Sequence, residues 1–94
     1  MVGVVGKLVV TYKKDNKGYE ETFTIDQESK YSLKGCPNCN LIIDEVVYVI
    51  DTIYGVTVYF NEDEENSMFV NGNDLYKFEI PEYGVTGTMK ISIF

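Results

Sequence analysis

Two cysteines, Cys36 and Cys39, stand in a CPNC knuckle near the middle of the chain. Two thiolates at this spacing can bind one tetrahedral zinc ion, with Pro37 shaping the turn between them. The knuckle is half a site, because the chain has no other Cys and no His. A second copy of the chain would complete a shared zinc site, and Asp44 and Glu45 would do so poorly. The simpler interpretation is a loop with two thiols or a local disulfide.

The knuckle resembles the CPxC zinc hook that joins coiled-coil ends in DNA-repair ATPases, over those four residues alone. That resemblance implies a zinc ion held between two subunits by Cys36 and Cys39. No cofactor is otherwise predicted.

The apolar segment after the knuckle decides between two folds. Six of residues 41–50 are β-branched, which favours a central strand covered on both faces, with the cysteines on a preceding loop. At the helical period, however, Asp44 and Tyr48 gather on one side and Val46 and Val49 on the other. A thiolate at the N-terminus of such a helix would have a lowered pKa and be nucleophilic. The second interpretation is therefore a thiol oxidoreductase.

The helical interpretation is supported by a family resemblance. CPNC, an apolar segment, VTVYFNEDEEN and then YGVTGTMKISIF resemble the order CxxC, helix, strand, YGVxGTPT, strand in thioredoxins. Met89 stands where that family has its cis-proline, and residues 75–81 alternate as a strand where the family has a helix. The resemblance implies a thioredoxin-like α/β fold, which we keep as the alternative.

Composition favours an all-β chain. Ala, the best helix former, is absent, whereas Tyr and Ile each occur eight times among 94 residues. The chain also lacks His, Trp and Arg, which excludes a protease triad of the usual kind and bidentate recognition of phosphate. A non-enzymatic protein is therefore predicted.

Period-two alternation places short strands along the whole chain. It predicts strands at residues 7–12, 19–25, 56–60, 68–70, 76–80 and 89–93, besides 41–50. KKDNKG predicts a hairpin turn between the first two, and Asn71-Gly72 a tight turn. Residues 26–34 are left open as a short helix capped by Asp26 or a crossing loop; residues 51–55 and 83–87 are predicted connections. The result is one domain, residues 1–94, folded as an antiparallel β-sandwich of immunoglobulin-like or jelly-roll kind with about seven strands.

Acidic and tyrosine residues mark a candidate interaction surface. The net charge is −7, and residues 41–94 hold ten acids against two lysines. Such a surface repels phosphates, so no direct nucleic-acid binding is predicted and a basic protein is the natural partner. The predicted surface consists of the acidic loop, a nearby acid and two loop tyrosines: Glu62, Asp63, Glu64, Glu65, Asp74, Tyr54 and Tyr83. Tyrosine suits such surfaces because it is apolar and polar at once.

The chain start, MVGVVGKLVV, lacks a basic region and has too short an apolar run for a signal peptide or a membrane span. We interpret it as the first strand of a cytoplasmic or virion-associated protein, and we predict no membrane association.

The function predicted is a structural or interaction module that acts through its surface and self-associates, as a homodimer for example. The alternatives are an acidic inhibitor that imitates nucleic acid and blocks a basic partner, and the CxxC thiol oxidoreductase.

Overall fold

Eight β-strands form most of the molecule in a computed structural model that describes residues 6–25, 29–50, 52–72 and 74–93. In chain order the strands are β1 (Gly6–Lys14), β2 (Lys17–Thr24), β3 (Ser29–Leu33), β4 (Cys36–Val49), β5 (Thr52–Phe60), β6 (Met68–Asn71), β7 (Tyr76–Ile80) and β8 (Val85–Ile93). Two single 3₁₀ turns, Glu64–Asn66 and Pro81–Tyr83, lie in the connections. The described part of the chain contains no α-helix, so the thioredoxin-like alternative is wrong.

The strands form two antiparallel four-stranded sheets. The first sheet has the order β2-β1-β8-β7 and the second the order β3-β4-β5-β6. The predicted all-β sandwich is confirmed, with eight strands where about seven were expected. Strands that pair are neighbours in the sequence, with one exception: β1, the first described strand, pairs with β8, the last, at the centre of the first sheet. This sequential order differs from the Greek-key connections of immunoglobulin-like and jelly-roll sandwiches.

Sequential antiparallel strands place the connections alternately at two ends of the sandwich. The β1–β2, β3–β4, β5–β6 and β7–β8 connections share one end, which we call the disulfide end because Cys36 and Cys39 lie there. The β4–β5 and β6–β7 connections lie at the other end, which we call the hairpin end. Residues that flank the two ends of the same strand therefore lie at opposite ends of the sandwich.

The core lies between the sheets and is built by alternation. In β1, Leu8, Val10 and Tyr12 are buried while the intervening Thr11 is exposed. The same alternation along the other strands brings mostly aliphatic side chains inward, among them Leu41, Ile43, Val56, Val58, Val70, Val85, Met89 and Ile91. Each such burial stabilises the fold by roughly 1.5–3 kcal/mol before the cost of ordering the chain is counted.

The predicted strands are confirmed, but several boundaries were wrong. Residues 29–33, left open as helix or loop, form the strand β3; Asp26, the predicted cap, lies outside the described residues, as do residues 1–5 of the predicted first strand. The cysteines lie within the irregular start of β4, not on a separate loop. β4 is central in its sheet, yet only one of its faces is covered, because its outward Asp44 and Glu45 are exposed.

Two predicted connections are shorter than expected. β5 begins at Thr52, so most of the predicted turn at residues 51–55 is strand; residue 51 lies outside the described part. Tyr54 is thus a strand residue, not a loop residue, although it is exposed. Likewise β8 begins at Val85, and the 3₁₀ turn Pro81–Tyr83 with Gly84 makes the whole connection from β7. Both connections are short because strand pairing continues almost to the turn, as far as Val49 and Thr52 in the β4–β5 hairpin and Ile80 and Val85 in the β7–β8 hairpin.

Two hairpin turns contain residues in the left-handed backbone conformation. In the β1–β2 turn the sequence predicts this, because Asp and Asn tolerate that conformation. Asp15 and Asn16 have φ values of 54° and 66°. At the tip of the β4–β5 hairpin Ile50 has φ 48°, a conformation that β-branched residues rarely adopt, and its side chain is 91% exposed. The tip is therefore strained without any compensating burial.

Replacing Ile50 by Asn should stabilise the protein. Asn tolerates the left-handed region, so Ile50→Asn is expected to raise the free energy of unfolding by about 1 kcal/mol. Equilibrium urea unfolding measures the change. Val49→Asn is the matched control, since Val49 is a strand residue and Asn is disfavoured there. A gain of the same size in the control would contradict the explanation.

No helix among the described residues is long and apolar enough to cross a membrane.

Candidate functional site

The outer face of the second sheet carries a row of side chains that combine charge, apolar surface and a phenol. Lys30 of β3 lies opposite Ile42 of β4, which in turn lies opposite Tyr59 of β5. All three alternate with inward-facing core residues, so they project from the sandwich. Ile42 and Tyr59 are half-buried and Lys30 is exposed.

Two carboxylates flank this row. The β4–β5 pairing shifts between Ile43 and Glu45, so Asp44 sits at a β-bulge and is exposed on the outer face. Asp44 and Glu62 line an open depression of about 320 Å³ together with the residues of the row. We call this surface the acidic tyrosine face; it consists of Lys30, Ile42, Asp44, Tyr59 and Glu62.

Backbone geometry fixes the position of Glu62. Asn61 and Glu62 have φ values of 53° and 63°, and the Asp63 N–H donates to the Phe60 carbonyl at 3.0 Å, which closes a tight turn directly after β5. The turn is tied to β4 in both directions: the Asn61 N–H donates to the Asn40 carbonyl, and the Asn40 N–H donates to Asn61 Oδ1, each at 2.9 Å. A non-glycine residue held at positive φ is a conformational cost that this hydrogen bonding offsets.

Carboxylates outnumber lysines at the acidic tyrosine face, where Asp44 and Glu62 stand against Lys30. Desolvation raises the pKa of the Tyr59 hydroxyl, and the carboxylates of Glu64, Asp44 and Glu62 raise it further. Tyr59 therefore remains a neutral phenol that can donate a hydrogen bond and present its ring to a cation. Ring, phenol and carboxylates together form a surface that suits an ammonium group.

The predicted acidic loop lies beside this face. Glu62, Asp63, Glu64 and Glu65 are all exposed in the β5–β6 connection at the disulfide end. Tyr83 also lies there: it is half-buried and lines a second depression, of about 240 Å³, with Glu62 and Lys30. The structure thus brings these five predicted residues together.

Glu79 and Glu82 join the acidic loop, and sequence reasoning missed both. With Asp63 they line a third depression, of about 490 Å³, between the two sheets at the disulfide end. Glu79 is an outward residue of β7, and Glu82 follows Pro81 in the last turn. The alternation around Phe78 identified the exposed position of Glu79, but only the strand order places it near the loop.

Tyr54 and Asp74, the remaining two residues of the predicted surface, lie apart from the others at the hairpin end. The Gly72 N–H donates to the Tyr54 carbonyl, and the Tyr54 ring centre is 6.0 Å from that of Phe69. The Asp74 N–H donates to the Asn71 carbonyl at 3.1 Å. The length of β5 separates this pair from the acidic loop.

A disulfide joins Cys36 to Cys39. This is the local disulfide that the sequence indicated as one interpretation of the knuckle. Their Cα atoms are 5.3 Å apart, and both residues are buried in the core while Pro37 and Asn38 between them are exposed. Zinc binds thiolates and not a disulfide, so the shared zinc site stays a prediction for the reduced protein. Within the described ranges no three His, Cys, Asp or Glu side chains are grouped to hold a metal ion.

A polar network beside the disulfide ties the β3–β4 turn to the first sheet. The Gly35 N–H donates to the Tyr12 hydroxyl oxygen at 2.7 Å, the Lys34 N–H donates to Glu21 Oε2 at 2.8 Å, and the Tyr12 hydroxyl donates to Glu21. The Tyr12 ring also stacks on that of Tyr19, with centres 5.1 Å apart. Burial, with the Glu21 hydrogen bond, raises the pKa of Tyr12 to about 12.

Removing the Tyr12 hydroxyl should destabilise the protein and change its response to alkali. Tyr12→Phe leaves the Gly35 N–H without its acceptor, with an expected loss of about 1–2 kcal/mol at neutral pH. The raised pKa means that the folded state retains a proton which the unfolded chain loses near pH 10. Stability contributed by Tyr12 is therefore fully present below about pH 10 and is lost as the pH rises toward 12.

Urea unfolding between pH 8 and pH 12 measures both effects. Tyr12→Phe should lack the Tyr12-specific part of the alkaline decline seen in the wild type. Tyr19→Phe is the control, since the structure gives the Tyr19 hydroxyl no hydrogen bond within the described residues. Parallel pH profiles for the wild type and Tyr12→Phe would contradict the assignment.

Comparison with protein-family models, curated proteins and solved structures found no match for this chain.

Proposed function

We propose that the protein is a non-enzymatic interaction module whose acidic tyrosine face binds basic side chains of a protein partner. The observation that carries the proposal is the placement of Tyr59 among the carboxylates of Asp44, Glu62 and Glu64 on an open sheet face. Apolar surface from Ile42 lies beside them.

The residue types suit lysine or arginine. An ammonium or guanidinium group over the Tyr59 ring gains a cation–π contribution, of about 0.5–1 kcal/mol at an exposed site. Asp44 and Glu62 on either side add charge-assisted hydrogen bonds. The aliphatic stem of the same side chain can pack on Ile42. The face also discriminates against anionic ligands, in keeping with the chain's net charge of −7.

A short oligolysine peptide tests the proposal. Titration followed by two-dimensional NMR should shift the backbone signals of Asp44, Tyr59 and Glu62 first. Asp44→Asn with Glu62→Gln should weaken binding about five- to tenfold, since each exposed ion pair is worth up to about 1 kcal/mol. Asp15→Asn with Glu20→Gln removes the same charge elsewhere and should leave binding nearly unchanged. Equal weakening by both pairs would indicate attraction by net charge alone and would reject the site.

A second candidate is an inhibitor that imitates nucleic acid. It is favoured by six carboxylates gathered at one side of the disulfide end, those of Glu62, Asp63, Glu64, Glu65, Glu79 and Glu82. Their spread over the β5–β6 connection, β7 and the turn after β7 is wider than one side chain needs and suits a basic groove. The test is competition: duplex DNA should displace the protein from a basic DNA-binding protein. Simultaneous binding of both would reject this candidate.

The redox alternative has lost its structural basis, since it required a helix after the cysteines. Instead both cysteines are buried in β4.

A further inference from the structure

We infer that copies of this chain stack face to face, the outer face of the first sheet of one copy covering the acidic tyrosine face of the next. The inference rests on the proposed function, for which it names the basic partner as a second copy of the chain. It is carried by the opposite charges of the two outer faces of the sandwich.

The outer face of the first sheet is basic although the protein is acidic. Four lysines project from it, Lys7 and Lys13 of β1, Lys77 of β7 and Lys90 of β8, each alternating with buried residues of its strand. We call this surface the lysine face. Glu20 and Glu79 are the acids among the described residues of this face, against four lysines. Half of the lysines in the chain therefore lie on one sheet face.

Short side chains fill the rest of the lysine face, and a shallow depression of about 400 Å³ lies at its centre between Lys13 and Lys77. Its other described side chains are mostly threonines, at positions 11, 22, 24, 86 and 88, and Gly18 lies at its margin. Thr11 and Thr88 lie opposite each other at its centre, where β1 pairs with β8. Short side chains between the lysines allow another sheet to approach closely, as in the packing of stacked sheets about 10 Å apart.

The opposite outer face carries the complementary charge. Asp44, Glu45 and Glu62 outnumber Lys30 on the second sheet, and Ile42 and Phe69 provide apolar surface. Lysine stems from the neighbouring copy can cover this apolar surface while their ammonium groups reach the carboxylates. The lysine face and the acidic tyrosine face are thus complementary in charge.

The available area is sufficient for reversible association. The first sheet has strands of 9, 8, 5 and 9 residues and the second has strands of 5, 14, 9 and 4, so each outer face offers roughly 500 Å². Two such faces together bury about 1,000 Å², the size of a weak, transient interface. Because the two faces lie on opposite sides of one sandwich, the contact is heterologous, and each copy leaves one face open for the next. Association should therefore grow with concentration and weaken with salt.

Analytical ultracentrifugation with a charge swap tests the stacking. The wild type should show a rising mean mass with concentration at low salt and less association at high salt. Lys13→Glu with Lys77→Glu should abolish this association, as should Asp44→Lys with Glu62→Lys. An equimolar mixture of the two variants should recover it, because each variant restores a complementary face to the other. Circular dichroism confirms that both variants remain folded.

Lys34→Glu with Glu65→Lys is the control, because both residues are exposed and lie in connections outside the two faces; it should associate like the wild type. A wild type that stays monomeric at low salt, or a mixture that recovers nothing, overturns the stacking. Oligolysine binding separates the two proposals: a monomeric protein that still binds the peptide through Asp44 and Glu62 rejects the stacking alone, whereas loss of both rejects the acidic tyrosine face itself.

Discussion

Gly87→Ala is expected to lower the free energy of unfolding by about 3 kcal/mol. A Cβ at this position would collide with the backbone carbonyl oxygen of Thr11 and lie 2.7 Å from Tyr12 Cβ and 2.8 Å from Tyr12 Cα. These atoms belong to the backbone or its first side-chain carbon, so no rotamer change can relieve the contact. β1 and β8 would have to separate at the register pair that Gly87 forms with Tyr12.

The position explains the size of the effect. β1 and β8 are the two central strands of the first sheet, and their pairing joins the beginning of the sequential strand order to its end. Tyr12 is also the residue whose hydroxyl accepts the Gly35 N–H beside the disulfide. Displacing it disturbs the core and the β3–β4 turn together.

Urea unfolding of Gly87→Ala and Gly18→Ala makes the matched comparison. Gly18 lies on the other side of β1, opposite Lys13, and a Cβ there would meet no heavy atom within 4 Å. Gly18→Ala should be neutral or stabilise by up to about 1 kcal/mol, because alanine restricts the unfolded chain. Similar losses in both variants would show that the close approach at Gly87 is not the cause.

The strands of the sandwich were predictable because one face of each is buried. In β1, β7 and β8 that burial imposes strict alternation, and the sequence displays it plainly around Val10, Phe78 and Met89. The β1–β2 turn was equally readable, since Asp15 and Asn16 supply the positive φ values that such a turn requires. Local chemistry and burial agree in these segments.

The start of β4 could not be read in the same way. Leu33 pairs with Cys36 and Ser32 with Asn40, so three residues of the knuckle bulge out between consecutive register pairs. A loop-like sequence is therefore enclosed within a strand. The position of the knuckle in the sheet depends on its pairing with β3. The sequence of β3 does not indicate a strand, because its only large apolar residues are Tyr31 and Leu33.

The candidate site was predictable in composition but not in arrangement. The acidic loop was visible in the sequence, whereas the row from Lys30 through Ile42 to Tyr59 exists only because three strands are in register. Asp44 joins that row through a bulge, for which the sequence has no local signal. The lysine face likewise collects residues from both ends of the chain, because β1 pairs with β8.

Replacing both cysteines by alanine is expected to lower the free energy of unfolding by about 3 kcal/mol. Opening the short loop closed by the disulfide costs about 2 kcal/mol through the freedom regained by the unfolded chain. Removing two buried sulfur atoms adds about 1 kcal/mol of lost core packing, since Cys36 and Cys39 are 2% and 0% exposed. Denaturant unfolding of Cys36→Ala with Cys39→Ala measures the sum.

Reduction of the wild type separates the two contributions, because it breaks the disulfide and keeps both sulfur atoms in the core. The reduced protein should lose only the part due to loop closure, about 2 kcal/mol, and remain more stable than the alanine variant. The variant itself should not respond to reductant. A reduced wild type as stable as the oxidised protein would mean that Cys36 and Cys39 act only by filling the core, and that the network of Tyr12, Glu21 and Gly35 holds the β3–β4 turn without the covalent link.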